Sequence, residues 1–172
     1  MFLASDEPGN IIRVLFVDFA KAFDLIDHNI LMRKFIDNDF PLHLSCWSLS
    51  FLEDRKQFVK VANGVSSTAK ICCGCPQGTL SGPNNFKLMI NDLRFLLSYI
   101  KYVDDTSVAS MSKNHDDTFL QGALNDLTAW CALNSMRLNT AKTNETVIYF
   151  GKKYDLSHIK SLECNDNVIN RV

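Results

Sequence analysis

Three aspartates stand at the ends of strand-like segments, where carboxylates can bind divalent cations. Asp104 and Asp105 lie at the predicted tip of a hairpin over residues 99–110, and Asp18 closes the apolar segment 11–18. If the fold lays these strands side by side, Asp18 and Asp104 can share cations, because hard ions such as Mg²⁺ prefer carboxylate oxygens. Such a cluster is the centre of two-metal phosphoryl transfer. The alternative for an isolated Asp-Asp pair is a solvated turn.

The composition is that of a folded domain with little excess charge. With 172 residues, of which 47% are apolar, the chain can bury a sizeable core, so we expect one domain over residues 1–172 rather than a disordered tail. The 18 Lys and Arg residues against 19 Asp and Glu give a net charge of −1. Since phosphate contacts supply most nonspecific affinity for nucleic acids, a protein that grips a polyanion would need its basic surface elsewhere.

Targeting signals and cysteine usage indicate the compartment. We find neither a secretion signal nor an apolar run of bilayer-spanning length, so we expect an intracellular protein with no membrane partner, in either nucleus or cytoplasm. The close cysteines at 72, 73 and 75 lack a second Cys/His pair at zinc-like spacing. All six cysteines are therefore expected to be reduced thiols.

The pattern of apolar residues predicts alternating strands and helices. The chain order suits an α+β fold, in which an antiparallel sheet carries helices packed on one face. The predicted elements are a strand at 11–18, helices at 28–40 and from Pro41 towards Glu53, strands at 57–62 and 67–75 around Asn63-Gly64, a helix from Pro83 with a stripe ending at Leu97, the 99–110 hairpin, a helix capped by Asn114 and Asp117 that ends near Arg137, and a strand at 145–150.

Four separated segments together resemble the polymerase palm of reverse transcriptases, most closely those of non-LTR retrotransposons. The segments are FVDFAKAFDLIDH at 16–28, CPQGTLSGP at 75–83 with INDL at 90–93, YVDD at 102–105, and LNTAKT at 138–143. Each segment alone is a weak signal, but their joint order and spacing are specific. The resemblance covers nearly the whole chain and implies a polymerase palm-like antiparallel sheet.

The resemblance implies roles for the acidic residues and for one lysine. Asp18 and Asp104 would ligate two Mg²⁺ ions, or Mn²⁺ in their place, with Asp105 as a third carboxylate and the Phe19 carbonyl as a further ligand. Lys142 would approach the pyrophosphate and donate a proton to it. The alternative for Lys142 is a solvated surface charge.

The resemblance also implies a nucleotide-binding set. Phe23 would lie under the sugar of the incoming nucleotide and exclude a 2′-hydroxyl by steric overlap, whereas the alternative is an ordinary core phenylalanine. Gln77 and Gly78 would position the nucleotide and the template base, with Thr79 a weaker candidate, unless Gly and Pro merely punctuate this loop. Backbone amides would donate hydrogen bonds to triphosphate oxygens. These amides are those of Ala20, Lys21, Ala22 and Phe23.

The implied activity is RNA-directed DNA polymerisation with an RNA template, a DNA primer and deoxynucleoside triphosphates as partners. We expect the chain to be a partial palm, because only a short leader precedes Asp18 and few residues follow Phe150, so that fingers and thumb are largely missing. The alternative is an inactive palm remnant of a mobile element that acts at most as an interaction module. A nucleotidyl-cyclase-like palm shares the strand-end carboxylates, but the Pro76-Gln77-Gly78 segment and Phe23 do not belong to that pattern.

Overall fold

The structure is a computed structural model that describes residues 10–112, 118–150 and 156–172. These residues form two compact units, the first from the described residues up to Ala20 and from Leu93 onward, and the second from Lys21–Asp92. The expectation of a single domain stays a prediction. Within the described ranges, no helix is long and apolar enough to cross a membrane.

The chain combines helices with a predominantly antiparallel sheet, which confirms the predicted α+β class. In chain order the described elements are β1 (Ile11–Val17), α1 (His28–Asp37), α2 (Leu42–Leu52), β2 (Lys56–Gln57), β3 (Lys60–Val61), β4 (Gly64–Val65), β5 (Ala69–Lys70), α3 (Ser81–Met89), β6 (Ser98–Tyr102), β7 (Asp105–Ser112), α4 (Thr118–Leu133), β8 (Asn144–Tyr149), a 3-10 helix (Leu156–His158), β9 (Glu163–Cys164), β10 (Asn167–Val168) and β11 (Asn170–Arg171).

A five-stranded sheet in the order β11-β8-β1-β7-β6 organises the first unit. Its centre is β1, which pairs antiparallel with β7 on one side and with β8 on the other. Side chains alternate between the two faces of a strand, and in β1 the buried positions are Ile11, Arg13, Leu15 and Val17. Only β11 runs parallel to its neighbour, so the sheet is predominantly antiparallel as predicted.

A buried ionic network lies on the core side of this sheet. Glu145 is completely buried, and its carboxylate accepts hydrogen bonds from Arg13 of β1 and Arg171 of β11. Arg13 also donates to the carbonyl of Lys160 at 3.0 Å. A buried charge is tolerated only when it is paired and hydrogen-bonded, and this network meets both conditions. The network therefore joins the central strand to the C-terminal segment of the chain.

Helix α4 contacts β7 and contributes its predicted apolar stripe to the core of the first unit. The stripe is fully or nearly fully buried, as the helical spacing predicts. Its residues are Leu120, Leu124, Leu127 and Cys131. The helix ends at Leu133 rather than near Arg137, and Ser135, with φ of 54°, follows in the left-handed region. The predicted cap at Asn114 and Asp117 lies outside the described residues.

Three helices and two short antiparallel ladders form the described part of the second unit. The Asp27 carboxylate caps α1 by accepting from the amides of Asn29 and Ile30, as a helix start requires. Helix α3 begins at Ser81, two residues before the predicted start at Pro83, and it ends at Met89. The predicted stripe therefore continues past the helix end, and Ile90 is buried outside the helix.

The hairpin predicted around Asn63-Gly64 is present but turns one residue earlier. Val61 pairs with Gly64, which leaves Ala62 and Asn63 as the turn, with Ala62 at φ of 49°. A second short ladder joins β2 to β5. Each strand has only two residues, and every residue from 56 to 70 is exposed. The long strands predicted at 57–62 and 67–75 are wrong, because the segment buries no apolar face that would extend them.

Candidate active site

The first unit brings the backbones of the three predicted aspartates to one end of its sheet. Val17 pairs with Thr106, and Tyr102 pairs with Asp105 across the hairpin. Asp18 and Asp105, the next residues beyond the first pair, therefore occupy neighbouring positions where the β1–β7 ladder ends. Val17 and Thr106 face the core, so strand alternation directs the two carboxylates to the opposite face.

The hairpin tip holds Asp104 in a strained two-residue turn. Val103 and Asp104 connect β6 to β7, and Val103 has φ of 55°. A positive φ is unfavourable for a β-branched residue, since its Cβ approaches the backbone closely. Strain of this kind is found where the surrounding structure fixes a residue for function. Glycine and asparagine are the residues that such a turn ordinarily selects.

The donor set suits a hard cation, but the carboxylates are not gathered into a finished metal site. In the described ranges, no three His, Cys, Asp or Glu side chains are grouped so that they could hold a metal ion. Asp18 and Asp104 are half-buried, and Asp105 is exposed. Like charges repel one another without a cation, which favours side-chain conformations that separate the carboxylates. The backbone register thus brings the three positions to one end of the sheet.

The segment 137–143 forms hydrogen bonds with both the backbone amide and the backbone carbonyl of Asp18. The Asp18 amide donates to Thr143 Oγ1 at 3.2 Å, and the Asn139 amide donates to the Asp18 carbonyl at 2.8 Å. One residue further on, the Ala20 amide donates to the Arg137 carbonyl at 2.8 Å. Ala20 thus already has a backbone acceptor for the amide that was predicted to receive phosphate oxygens. Thr143 was not predicted as a site residue, because only the fold shows which backbone group its hydroxyl meets.

Phe19 and Lys142 flank this arrangement. Phe19 is buried, forms an isolated antiparallel bridge with Leu138, and meets the ring of Trp130 edge-on at 6.3 Å between centroids. The bonds that flank this bridge use the Asp18 carbonyl and the Ala20 amide. Lys142 is exposed, and its backbone amide donates to the Asn139 carbonyl at 3.1 Å. Its exposure is compatible with either role given above.

The second unit contains the predicted nucleotide-binding side chains. Phe23 is half-buried, and its ring packs on that of the fully buried Phe86 with 5.3 Å between centroids. Its two neighbours in the predicted set differ in exposure. Ala22 is buried, and Lys21 is exposed with φ of 50°. One ring therefore fixes the position of Phe23 while part of its surface stays accessible.

The loop around Gln77 and Gly78 is held against the turn that follows Phe23. Backbone bonds run from Gly74 to Ile26 and from Cys75 to Phe23 at 2.7 and 2.8 Å. Gln77 Nε2 donates to Asp24 Oδ1 at 3.2 Å. Gly78 has φ of 76°, a conformation that glycine adopts without strain.

Asp24 and His28 form hydrogen bonds with a structural role. Asp24 accepts from Gln77 and so fixes the amide that was predicted to position the nucleotide. His28 Nε2 lies 2.9 Å from the Gly74 carbonyl, which also accepts from Arg55. Both residues therefore stabilise the loop. No motif signalled the Asp24–Gln77 pair, because the two residues are distant in sequence.

All six cysteines are free thiols. Burial raises the pKa of the Cys131 thiol to about 12. Burial also raises the pKa of Cys75, although a hydrogen bond from Asn85 opposes that shift. These two thiols stay protonated at neutral pH, and a protonated thiol is a poor nucleophile and metal ligand.

The family described as "Reverse transcriptase (RNA-dependent DNA polymerase)" matches residues 4–164. The chain belongs to the reverse transcriptase family. It is 30% identical over 141 residues to the probable RNA-directed DNA polymerase from transposon BS of Drosophila melanogaster, which covers 75% of this chain and 16% of that protein.

A second relative gives the same result. The RNA-directed DNA polymerase from mobile element jockey of Drosophila melanogaster is 30% identical over 139 residues, covering 74% of this chain and 15% of that protein. This reverse transcriptase chain thus spans about a sixth of the length of the curated relatives it matches. The family resemblance inferred from the motifs is confirmed.

Proposed function

We propose that this chain is the catalytic segment of an RNA-directed DNA polymerase, which adds deoxynucleotides to a primer 3′-hydroxyl on an RNA template. The carrying observation is the strand register that sets Asp18 beside Asp105 at the end of the β1–β7 ladder. Two distant segments thereby supply oxygen donors at one end of a sheet. Membership of the reverse transcriptase family supports the reaction class.

The proposed metal ligands are Asp18, Asp104 and Asp105, with the Phe19 carbonyl as a further donor. Divalent ions held there would lower the pKa of the primer hydroxyl and stabilise charge on the leaving pyrophosphate. The three carboxylates supply the hard oxygen donors that Mg²⁺ or Mn²⁺ prefers. We infer that the five-stranded sheet of the first unit is the polymerase palm, and that Lys142 protonates the pyrophosphate.

The proposed nucleotide contacts come from the second unit. The Phe23 ring, packed on Phe86, would exclude a 2′-hydroxyl because its position is fixed by a buried neighbour. Gln77, held by Asp24, would orient the nucleotide, and Gly78 would allow close backbone approach. The amides of Lys21, Ala22 and Phe23 would donate hydrogen bonds to triphosphate oxygens, as amides in backbone anion sites do.

Two measurements on this 172-residue chain test the proposal. Isothermal calorimetry should detect Mg²⁺-dependent binding of a deoxynucleoside triphosphate, and primer extension on an RNA template should detect incorporation. We expect binding together with slow, distributive extension, because the net charge of −1 offers little grip on a polyanion. Absence of both binding and extension would contradict the proposal and favour a non-catalytic interaction module.

Sugar selection is tested with Phe23→Ala. Removal of the ring should raise the relative use of ribonucleotides by roughly ten-fold or more, since the wild-type exclusion is steric. Single-nucleotide incorporation with dNTP and rNTP measures the ratio. Phe58→Ala is a matched control because that ring is 58% exposed on the short hairpin segment. An unchanged ratio in Phe23→Ala would rule out the steric role.

A further inference from the structure

We infer that Thr143 is a positioning residue that fixes the metal-binding geometry of Asp18. The inference rests on the proposed function and extends it to a residue that touches neither metal nor nucleotide. Thr143 is completely buried, and its hydroxyl accepts the amide proton of Asp18 at 3.2 Å. Thr143 thus contacts the main chain of a proposed ligand and not its carboxylate.

The bond between Thr143 and Asp18 lies where the strand pairing of β1 ends. Pairing of β1 with β8 ends at Phe16, opposite Asn144, and pairing with β7 ends at Val17. Asp18 is the first residue beyond both ladders and lies between their ends and the Phe19–Leu138 bridge. The Thr143 hydroxyl replaces the missing ladder partner at that residue. A partly buried amide without an acceptor is costly, so the bond holds the backbone in one position.

The same turn engages the other polar group of Asp18. The Asn139 amide donates to the Asp18 carbonyl, and the Asn139 carbonyl accepts from the amides of Lys142 and Thr143 at 3.1 and 2.8 Å. The turn 139–143 is therefore closed on itself and bonded to Asp18 at both ends. Asp18 and the backbone of Lys142 consequently share one hydrogen-bonded unit, so that a shift of one is transmitted to the other.

Valine, cysteine and serine at position 143 separate this role from simple packing. Thr143→Val keeps the side-chain shape and removes the acceptor, whereas Thr143→Ser keeps the acceptor and removes a methyl group. Thr143→Cys keeps a weak sulfur acceptor and serves if the valine variant does not fold. Thr128→Val is the matched control, because it removes a hydroxyl bond of 2.8 Å to the Leu124 carbonyl within α4.

The readout is Mn²⁺ affinity of the whole chain, measured by electron paramagnetic resonance of the free ion, with melting temperature recorded in parallel. We expect Thr143→Val to weaken Mn²⁺ binding by roughly ten-fold, as loss of a ligand-orienting contact typically does. Thr143→Ser should restore most of the affinity, Thr143→Cys should fall between them, and Thr128→Val should bind as wild type does.

Two different failures are distinguishable. If the wild-type chain binds Mn²⁺ in an Asp18-dependent manner and Thr143→Val binds it equally well, the positioning role is overturned and the proposed function stands. If the wild-type chain does not bind Mn²⁺, or if Asp18→Asn leaves its Mn²⁺ binding unchanged, the proposed function fails and the inference fails with it. A serine variant as weak as valine would also overturn the inference, because the methyl group and not the hydroxyl would then matter.

Discussion

The two units position their candidate functional residues by different physical means. In the first unit, Asp18 is fixed by strand pairing, by bonds to the turn 139–143 and by a sheet whose core side holds the Glu145 network. In the second unit, the Gln77 loop is fixed by close approach of Gly74 to the backbone of Asp24 and by a few side-chain bonds.

This difference indicates how each region tolerates change. A sheet distributes its hydrogen bonds over many residues, so the loss of one shifts little, whereas a buried ion network fails when a single partner is removed. A loop that approaches neighbouring backbone closely depends on the residue that permits this approach. The exposed segment 56–70, whose strands have two residues each, depends on neither a buried ion network nor a close backbone contact. It should therefore undergo local unfolding most readily.

The largest expected effect is on the proposed chemistry of the first unit. Asp18→Asn or Asp104→Asn should reduce incorporation by roughly a hundred-fold or more, because each removes an anionic metal ligand. Folding should change little, since the substitution relieves like-charge repulsion. Primer extension and thermal melting measure the two quantities. Asp126→Asn, an exposed carboxylate on α4, is the control and should keep full activity.

A carboxylate without a metal role would give the opposite pattern. If Asp18→Asn unfolds the chain while leaving Mn²⁺ affinity intact, the assigned role is wrong. The difference between the two units would then lie in stability alone.

The next largest effect concerns the buried network of the first unit. Glu145→Ala should lower the free energy of unfolding by about 3–5 kcal/mol, because it leaves Arg13 buried without its counter-charge. Urea denaturation measures the change. The matched ion pair in the second unit joins Lys70 to Asp54, and both side chains are exposed. Asp54→Asn should leave the denaturation midpoint where it is in wild type, since solvent screens such pairs.

A smaller effect tests the loop of the second unit. In Gly74→Ala the new Cβ would lie 2.7 Å from the Asp24 carbonyl oxygen, and φ of 81° disfavours a side chain. We expect a loss of about 2–3 kcal/mol, since backbone on both sides must move. Gly78→Ala is the control, because its φ of 76° is similar but no atom lies within 4 Å. It should cost about 1 kcal/mol in urea denaturation. Equal losses would show that close approach at Gly74 does not hold the loop.

The sequence determined most of the element types and the family. The apolar strand Ile11–Val17, the helical stripe from Leu120 to Cys131 and the Asp-Asp hairpin depend on local composition and periodicity, which a sequence records directly. The boundaries shifted where tertiary packing competes with local preference. Helix α3 stops at Met89 although its apolar spacing continues, because buried residues need not lie on a helix.

The tertiary structure alone decided which distant groups meet. Asp18 and Asp105 become neighbours through the antiparallel register of β1 and β7, and neither segment encodes its partner. Glu145 looks like the outward residue of an alternating strand, yet Arg13 and Arg171 allow it to be buried. Thr143 and Asp24 acquire their bonds in the same way. Side-chain types and spacing are local properties of a chain, whereas a hydrogen bond between remote residues exists only once the backbone has brought donor and acceptor within reach.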